Sequence, residues 1–289
     1  MTGDARRWGV IGGSGLYGME GLEDVREVEV ETPYGVPSDK LTVGRMGDHE
    51  LVFVPRHGRG HRHSPSEVPY RANLFALKSL GVSRIFSVSA VGSMKEDIAL
   101  GVPVIVDQFI DRTHARKSTF FEDGIVAHVS MADPVCPGLR GLLLEAAART
   151  GIDVVDGGTY VCMEGPQFSS RGESLMYRSI GVDVIGMTNA TEAKLAREAE
   201  ICYATIALPT DFDCWHDGHD DVSVGSVLEI LGRGTERARG LIRSVLDHDV
   251  ADSDCGCDGA LEGAIMTDRG LVSDETRCRL GPLVDRYLD

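Results

Sequence analysis

Ile201-Cys202-Tyr203-Ala204-Thr205-Ile206-Ala207-Leu208, followed past Pro209 by Thr210-Asp211-Phe212-Asp213-Cys214-Trp215, is the stretch that sets the reading of this chain. The uncharged run reads as a buried strand. Side chains of a strand alternate between its faces, so residues 211 and 213 are expected to point the same way at its end. Two carboxyls converging on one small volume suit a ligand that offers hydrogen-bond donors, or one that must be protonated. A solvated acidic turn after a buried strand is the competing reading.

Outward from that strand, strands and helices alternate. Upstream lie a helix over 191–199, a strand over 183–187, a helix over 171–180, a strand over 158–163 and an Ala/Leu-striped helix over 137–150. Strands over 102–109 and 84–89 precede these. Before them comes a helix over 66–80, with Val68, Ala72, Phe75, Ala76 and Leu80 on one side and Gly81 as its stop. Residues 41–43 and 51–54 flank a Gly/Asp turn and read as a hairpin, and 24–32 alternates apolar with charged residues as a half-exposed strand. Arg7 to Gly12 reads as a buried strand that runs into a glycine turn. Downstream, 223–247 is a long helix interrupted at Gly225, Gly232 and Gly234, 247–259 an acidic linker and 260–289 a short cap. With no compositional break and no internal repeat, residues 1–289 read as one α/β domain.

The chain of 289 residues is 42% hydrophobic and 26% charged, ordinary for a globular protein, but its net charge of −16 is not. Such a surface repels nucleic-acid phosphates and anionic membrane faces. Lysine is confined to Lys40, Lys78, Lys95, Lys117 and Lys194. That acidic, lysine-poor balance fits a protein kept soluble in concentrated salt. No apolar run approaches a membrane span of about 20 residues, and Met1 to Trp8 has no signal-peptide core, which places the protein in the cytoplasm. The 7 cysteines lack zinc-ribbon spacing. Cys136, Cys162, Cys202 and Cys214 read as small buried thiols, and Cys255-Gly256-Cys257 as an exposed pair open to an optional bridge.

Gly13-Ser14-Gly15-Leu16-Tyr17-Gly18 satisfies G-x-G-x-x-G, yet a strand rather than a helix follows it, so a dinucleotide site is rejected in favour of an anion nest. Pro55-Arg56-His57-Gly58-Arg59-Gly60-His61-Arg62-His63 gathers three arginines and three histidines after a strand. Arginine forks suit tetrahedral oxyanions, whereas metal is disfavoured by the flanking cations; a solvated basic loop is the alternative. Ser87-Val88-Ser89-Ala90-Val91-Gly92-Ser93 ends another strand in small residues that let backbone approach a ligand. In the turn at 163–171, Glu164 is positioned to fasten sugar hydroxyls and Phe168 to stack on a base; a turn glutamate and a core phenylalanine are the plainer reading. His216 and His219 among Asp217, Asp220 and Asp221 read as a solvated segment rather than a metal site.

Together these segments resemble the trimeric purine nucleoside phosphorylase family, most closely its S-methyl-5'-thioadenosine phosphorylase branch. The resemblance runs from about Gly9 to Leu246. It is carried by Gly-Gly-Ser-Gly-Leu (12–16), Pro-Arg-His-Gly-Arg-Gly-His (55–61), Asp-Gln-Phe-Ile-Asp-Arg-Thr (107–113), Glu-Gly-Pro-Gln-Phe-Ser-Ser-Arg (164–171), Gly-Met-Thr-Asn (186–189) and Thr-Asp-Phe-Asp-Cys-Trp (210–215). It implies one α/β domain whose mixed central sheet forms a distorted barrel ringed by helices, assembled as a homotrimer or a dimer of trimers. It further implies a phosphate site from Ser14, Arg56, His57, Ser89, Ala90 and Thr188, with Met187 under the ribose and Phe168 beside the purine. Glu164 and Ser169 join the substrate contacts, and Asp211 and Asp213 face N7 and the exocyclic amine. Val224, Val227 and Leu228 line the 5'-substituent pocket, and His128 reaches it from a neighbouring subunit. Ser14 and Ser89 stand where relatives often carry Thr, which keeps the hydroxyl, and Thr191 stands where many carry Pro.

The implied reaction is phosphorolysis of a purine nucleoside, with inorganic phosphate as co-substrate and no metal or organic cofactor. Two aspartates favour a 6-aminopurine, because a 6-oxo group sets oxygen against oxygen; an aspartate that stays protonated leaves inosine, guanosine or methylthioinosine as the alternative substrates. A nucleoside hydrolase and a non-enzymatic purine sensor are the competitors of other classes. Phosphate-dependent turnover separates all three.

Overall fold

The computed structural model describes residues 7–16, 18–216, 224–248 and 255–288; the side chains of Ser14 and of 224–228 lie outside that description. One 11-stranded mixed sheet organises it. Its strands are β1 (Arg7–Gly12), β2 (Glu23–Val28), β3 (Leu41–Met46), β4 (His49–Pro55), β5 (Arg84–Ser93), β6 (Val104–Ile105), β7 (Gln108–Asp111), β8 (Val155–Asp156), β9 (Thr159–Cys162), β10 (Val184–Gly186) and β11 (Cys202–Asp211). The helices include α1 (Tyr70–Ser79), α2 (Pro137–Thr150), α3 (Arg171–Ser179), α4 (Asn189–Glu198), α5 (Val224–Leu246) and α6 (Asp274–Leu280).

Strands β4, β1, β5 and β11 run parallel in that spatial order. Their residues alternate between two cores. Trp8, Val10, Leu51, Phe53, Phe86, Val88, Ala204, Ile206 and Leu208 pack with Leu139 and Leu143 of α2 and Leu241 of α5. Ile11, Val52, Val54, Ile85 and Tyr203 pack on the opposite face with Leu74 and Leu77 of α1 and Leu195 of α4. Burial on both faces explains why these strands read as unbroken apolar runs. Each fully buried side chain of this kind contributes about 1.5–3 kcal/mol of transfer free energy.

The sheet forks at β5. One branch continues through β10 to β9 and β7, the other through β11 to β6 and β8. Because β6 leads straight into β7 and β8 into β9, the branches rejoin along the chain and close a distorted barrel. Val91, Val104, Val106, Tyr160, Val184 and Ala207 form a core within it. The single strand expected over 102–109 is thus two pieces, kinked where Asp107 accepts the Gly158 N–H.

Three further expectations shift. The helix expected from Ser66 begins at Tyr70, because Pro69 is its N-cap and the preceding residues form turns. The helix expected to break at glycines runs unbroken from Val224 to Leu246. Its Gly234 and Gly240 serve close packing instead: a Cβ would lie 3.3 Å from Leu208 and 2.9 Å from Ile152. The cap beyond residue 260 joins the main core, with Leu261, Val272, Leu280, Leu283 and Val284 buried in the α1–α4 cluster. Among the described residues no helix is long and apolar enough to cross a membrane.

Candidate active site

The parallel strands β4, β1, β5 and β11 bring their carboxyl ends to one rim, where ligands of open α/β sheets bind. Register aligns Gly12 with Pro55, Ile11 with Ser87, and Ala207 with Ser89. The glycine turn, the Arg56 loop, Ser89–Ala90 and Asp211 therefore emerge side by side. β1 stops pairing with β5 at Ser87, while β11 continues to Gly92. Ala90 is the one exposed residue of β5, so the sheet opens at that point.

After β1 the chain makes one 3-10 turn, Ser14–Leu16, not the helix of a dinucleotide fold. Leu16 folds back so closely that a Cβ on Gly12 would lie 2.3 Å from its Cδ1. Any larger residue there would force Leu16 to shift. The Gly15 carbonyl accepts from Arg239 of α5, and the Arg56 N–H donates to the Gly12 carbonyl at 3.1 Å. These bonds fix the nest beside the Arg56 loop.

That loop is less cationic than its composition. Arg59 pairs with Asp39 and Glu27, and Arg62 with Asp39. Arg56 alone turns inward. Its Nε donates to Glu192 Oε1 at 2.5 Å and Nη1 to the Val88 carbonyl at 2.9 Å. Nη2 donates to Ser87 Oγ at 2.7 Å and Glu192 Oε2 at 3.3 Å. A guanidinium has five N–H groups, so among the described residues these contacts leave one Nη1 hydrogen for a ligand. Burial and the Arg56 charge push the His57 imidazole down to about 4. His57 is therefore neutral near pH 7, stacked on His61 at 4.3 Å, with Nδ1 2.9 Å from the His63 carbonyl. A carbonyl only accepts, so Nδ1 carries the proton and Nε2 is left an acceptor.

Two hydroxyls complete the anion side. Among the described residues Ser89 Oγ is buried without a hydrogen-bond partner. Thr188 is buried and is the N-cap of α4, with its hydroxyl 3.1 Å from Asn189 Oδ1. The first turn of α4 also supplies Glu192, so Arg56 and the positive end of that helix dipole share one neighbourhood. A buried hydroxyl with an unmet donor and a helix N-terminus fit an oxyanion.

On the acid side, the structure replaces the expected alternation. β11 ends at Asp211 after a register shift between Pro209 and Asp211. Such a bulge re-aims a side chain. Asp213 lies beyond the strand in a turn, at φ 49°. The carboxyls meet because the Asp213 N–H donates to Asp211 Oδ1 at 2.9 Å, a side chain–backbone turn rather than strand geometry. Thr210 Oγ1 donates to Asp211 Oδ2 at 2.8 Å. Gly92 makes room: a Cβ there would lie 3.0 Å from Asp211 Oδ1. Burial raises the Asp211 carboxyl from its ordinary value and the Asp213 charge adds to this, against the Thr210 hydroxyl and the Asp213 amide. Ser169 Oγ lies 2.7 and 2.6 Å from the two Asp213 oxygens. Phe168, beside it, is 58% exposed, so it is a surface ring and not a core one.

Glu164 is bound internally. Its Oε2 accepts the His114 N–H at 2.6 Å and the Ala115 N–H at 3.3 Å, and its Oε1 accepts from Ser66. Against burial, which raises it, these bonds and Arg116 hold the carboxyl at about 2. Both oxygens are thus engaged before any sugar arrives. Arg116, which no motif singled out, is the hub: it donates to the Met187 and Glu164 carbonyls and to Tyr70. It thereby fixes the height of Met187, whose Sδ lies where a Cβ on Gly165 would collide at 2.6 Å. Glu192 was missed for the same reason, and Asn189, though it closes the Gly-Met-Thr-Asn segment, was given no role; their partners Ser87, Tyr203 and Thr205 lie on strands far away in sequence.

His128 is exposed, and its N–H bonds the Ala264 carbonyl. The side chains of Ser14, Val224, Val227 and Leu228 lie outside the described residues, as do Asp217, His219, Asp220 and Asp221. The cavity of about 640 Å³ between α2 and α5, around Arg149, Gly240 and His248, is lined by none of the expected residues. It has neither the strand ends nor the acid pair.

Comparison with known proteins converges on one family. The family model of the phosphorylase superfamily matches residues 7–247. The chain is 56% identical to the S-methyl-5'-thioadenosine phosphorylase of Geobacter sulfurreducens, covering 97% of this chain and 98% of that protein. It is 52% identical to the same-named protein of Cereibacter sphaeroides, covering 97% and 98%. A crystal structure of methylthioadenosine phosphorylase sourced from an Antarctic soil metagenomic library superposes with a TM-score of 0.91, at 48% identity over 97% of this chain and 99% of that one. Methylthioadenosine phosphorylase from Schistosoma mansoni in complex with adenine superposes at 0.85, with 35% identity over 90% of this chain and 99% of that one.

Proposed function

The chain belongs to the phosphorylase superfamily, and on that premise we propose that it cleaves S-methyl-5'-thioadenosine with inorganic phosphate to adenine and 5-methylthioribose 1-phosphate. The observation that carries this reading is the meeting, at one rim of strand ends, of a buried anion-binding side with a carboxyl whose hold on a proton is strengthened by burial. The relatives named S-methyl-5'-thioadenosine phosphorylase support the choice of nucleoside.

Phosphate lies against the Ser14 turn, the free Arg56 N–H, Ser89, the Ala90 backbone and Thr188. Neutral His57 accepts a proton-bearing phosphate oxygen through Nε2. As the glycosidic bond breaks, positive charge grows on the sugar, and the bound anion beneath C1' stabilises it; positioning replaces any covalent intermediate. A phosphate oxygen then bonds to C1', and the bonding pair leaves with the purine. Asp211, its hold on a proton strengthened by burial, protonates N7, while Asp213 accepts from the exocyclic amine. Ser169 orients Asp213, and Phe168 covers the base. Met187, held by Arg116, supports the ribose, and Glu164 acts by bracing the 114–116 turn.

Val224, Val227 and Leu228 form the apolar wall for the methylthio group, completed by His128 of a neighbouring copy in a homotrimer. Residues 1–289 form one functional unit, and the reaction draws on no metal or organic cofactor. The test is kcat/KM for methylthioadenosine, adenosine, methylthioinosine and inosine, with and without phosphate. Methylthioadenosine should lead, with no turnover unless phosphate is present. Phosphate-independent cleavage points to a hydrolase and defeats the proposal, as does a preference for inosine.

A further inference from the structure

Four of the seven cysteines come together although their spacing predicts nothing. Cys136 is the N-cap of α2, Cys202 opens β11, and Cys255 and Cys257 lie 53 and 55 residues further on. Their sulfurs all lie within 4.8 Å of one another, with Cys202 and Cys255 at 3.4 Å. Cys136 and Cys257 are buried, and Cys202 and Cys255 half-buried, at the border of the α2–α5 core. The exposed pair expected at 255–257 is therefore an inward-turned one. Gly256 permits this by adopting φ 67°, a conformation that lets both flanking sulfurs face the same point.

We propose that Cys136, Cys202, Cys255 and Cys257 bind a structural zinc ion. Tetrahedral zinc with Zn–S bonds of about 2.3 Å places its four sulfurs roughly 3.8 Å apart, which is the spacing this cluster approaches. Four protein thiolates close the coordination shell, so the site holds structure and performs no chemistry. Its surroundings suit a Zn(Cys)4 unit, whose net charge is −2. The Leu139 N–H, at the positive end of α2, donates to Cys136 Sγ at 3.4 Å. Arg197 Nη1 donates to Cys257 Sγ at 3.7 Å, while its Nη2 is anchored on the Asp133 carbonyl. Four thiolates within 4.8 Å of one another repel without a cation, so the metal-free cluster has to keep and share protons. Zinc takes the place of those shared protons, which leave to solvent. It thereby pins the segment from Cys255 onward, whose Leu261 and Leu280 are buried in the main core, to the starts of α2 and β11.

The test is metal analysis of the full chain, produced with zinc in the medium, purified under reducing conditions and desalted. About one zinc per chain is expected, released when a mercurial titrates the thiols. Cobalt in its place should give thiolate-to-metal charge-transfer bands and the visible bands of a tetrahedral ion. The Cys255→Ser/Cys257→Ser variant should hold less than a tenth of that zinc and lose roughly 5–10 °C in Tm, whereas Cys278→Ser, an exposed site, should match the parent. A metal-free chain with seven free thiols overturns the proposal. So does a chain in which mass mapping finds the four cysteines joined as disulfides.

Discussion

Asp211 serves as an acid only while it holds a proton, and its burial over Gly92 strengthens that hold. Asp211→Asn keeps the shape and removes the proton. It should lower kcat/KM for methylthioadenosine by about 10²–10⁴-fold and improve inosine relative to it, as read from initial rates with saturating phosphate. The raised pKa also sets a pH profile. The protonated fraction falls as pH rises through the folded-state value, so kcat/KM should decline on that alkaline side, at a pH above the ordinary aspartate value. Asp211→Asn should abolish this limb. The stability contribution has the same sign: it is full below the unfolded carboxyl pKa and is lost as pH climbs through the raised one. Glu192 is of another kind, since it holds the buried Arg56 at 2.5 Å and accepts from Ser87 and Tyr203. Glu192→Gln leaves a buried guanidinium uncompensated and should cost about 3 kcal/mol in denaturant unfolding, raising the KM for phosphate as well.

At the level of elements, most strands and helices were legible because their apolar residues repeat at the right period. The helix over 137–150 was read to the residue: Pro137 opens it after the Cys136 cap, and Gly151 closes it in the left-handed region. Helix α3 carries a full capping box between Ser170 and Glu173. Ser170→Ala should therefore cost about 1 kcal/mol of stability, measured as a shift in the urea midpoint, and loosen the neighbouring Ser169–Asp213 contact. What the period could not give was the end of β11. Alternation predicted that residues 211 and 213 would align, but a bulge and a left-handed turn bring them together by a different route. Both depend on Gly92 across the strand, which no local pattern ties to Asp211. Gly92→Ala should accordingly depress kcat more than it depresses Tm.

For the whole molecule, the motifs at 12–16, 55–61 and 210–215 follow the parallel strands β1, β4 and β11 to one rim, while those at 107–113, 164–171 and 186–189 come from β7, β9 and β10 on the other branch of the sheet. Their order was readable; their partners were not. Arg116, Asn189 and the four-cysteine cluster are built from contacts between residues far apart in sequence, and single-chain periodicity carries no record of those. Net charge was legible but blunt. It indicated an acidic surface without revealing that Asp39 and Glu27 neutralise two arginines of the basic loop. The charge of −16 still implies self-repulsion, so Tm should rise between dilute buffer and molar KCl; a flat response would remove salt adaptation from the account. The most direct test of the central claim is a crystal structure with phosphate and an unreactive methylthioadenosine analogue. The account predicts phosphate within hydrogen-bond reach of Ser89 Oγ and Thr188 Oγ1, with C1' above it and N7 facing Asp211. An anion and a purine held at separate places, or a base turned away from Asp211, would contradict it.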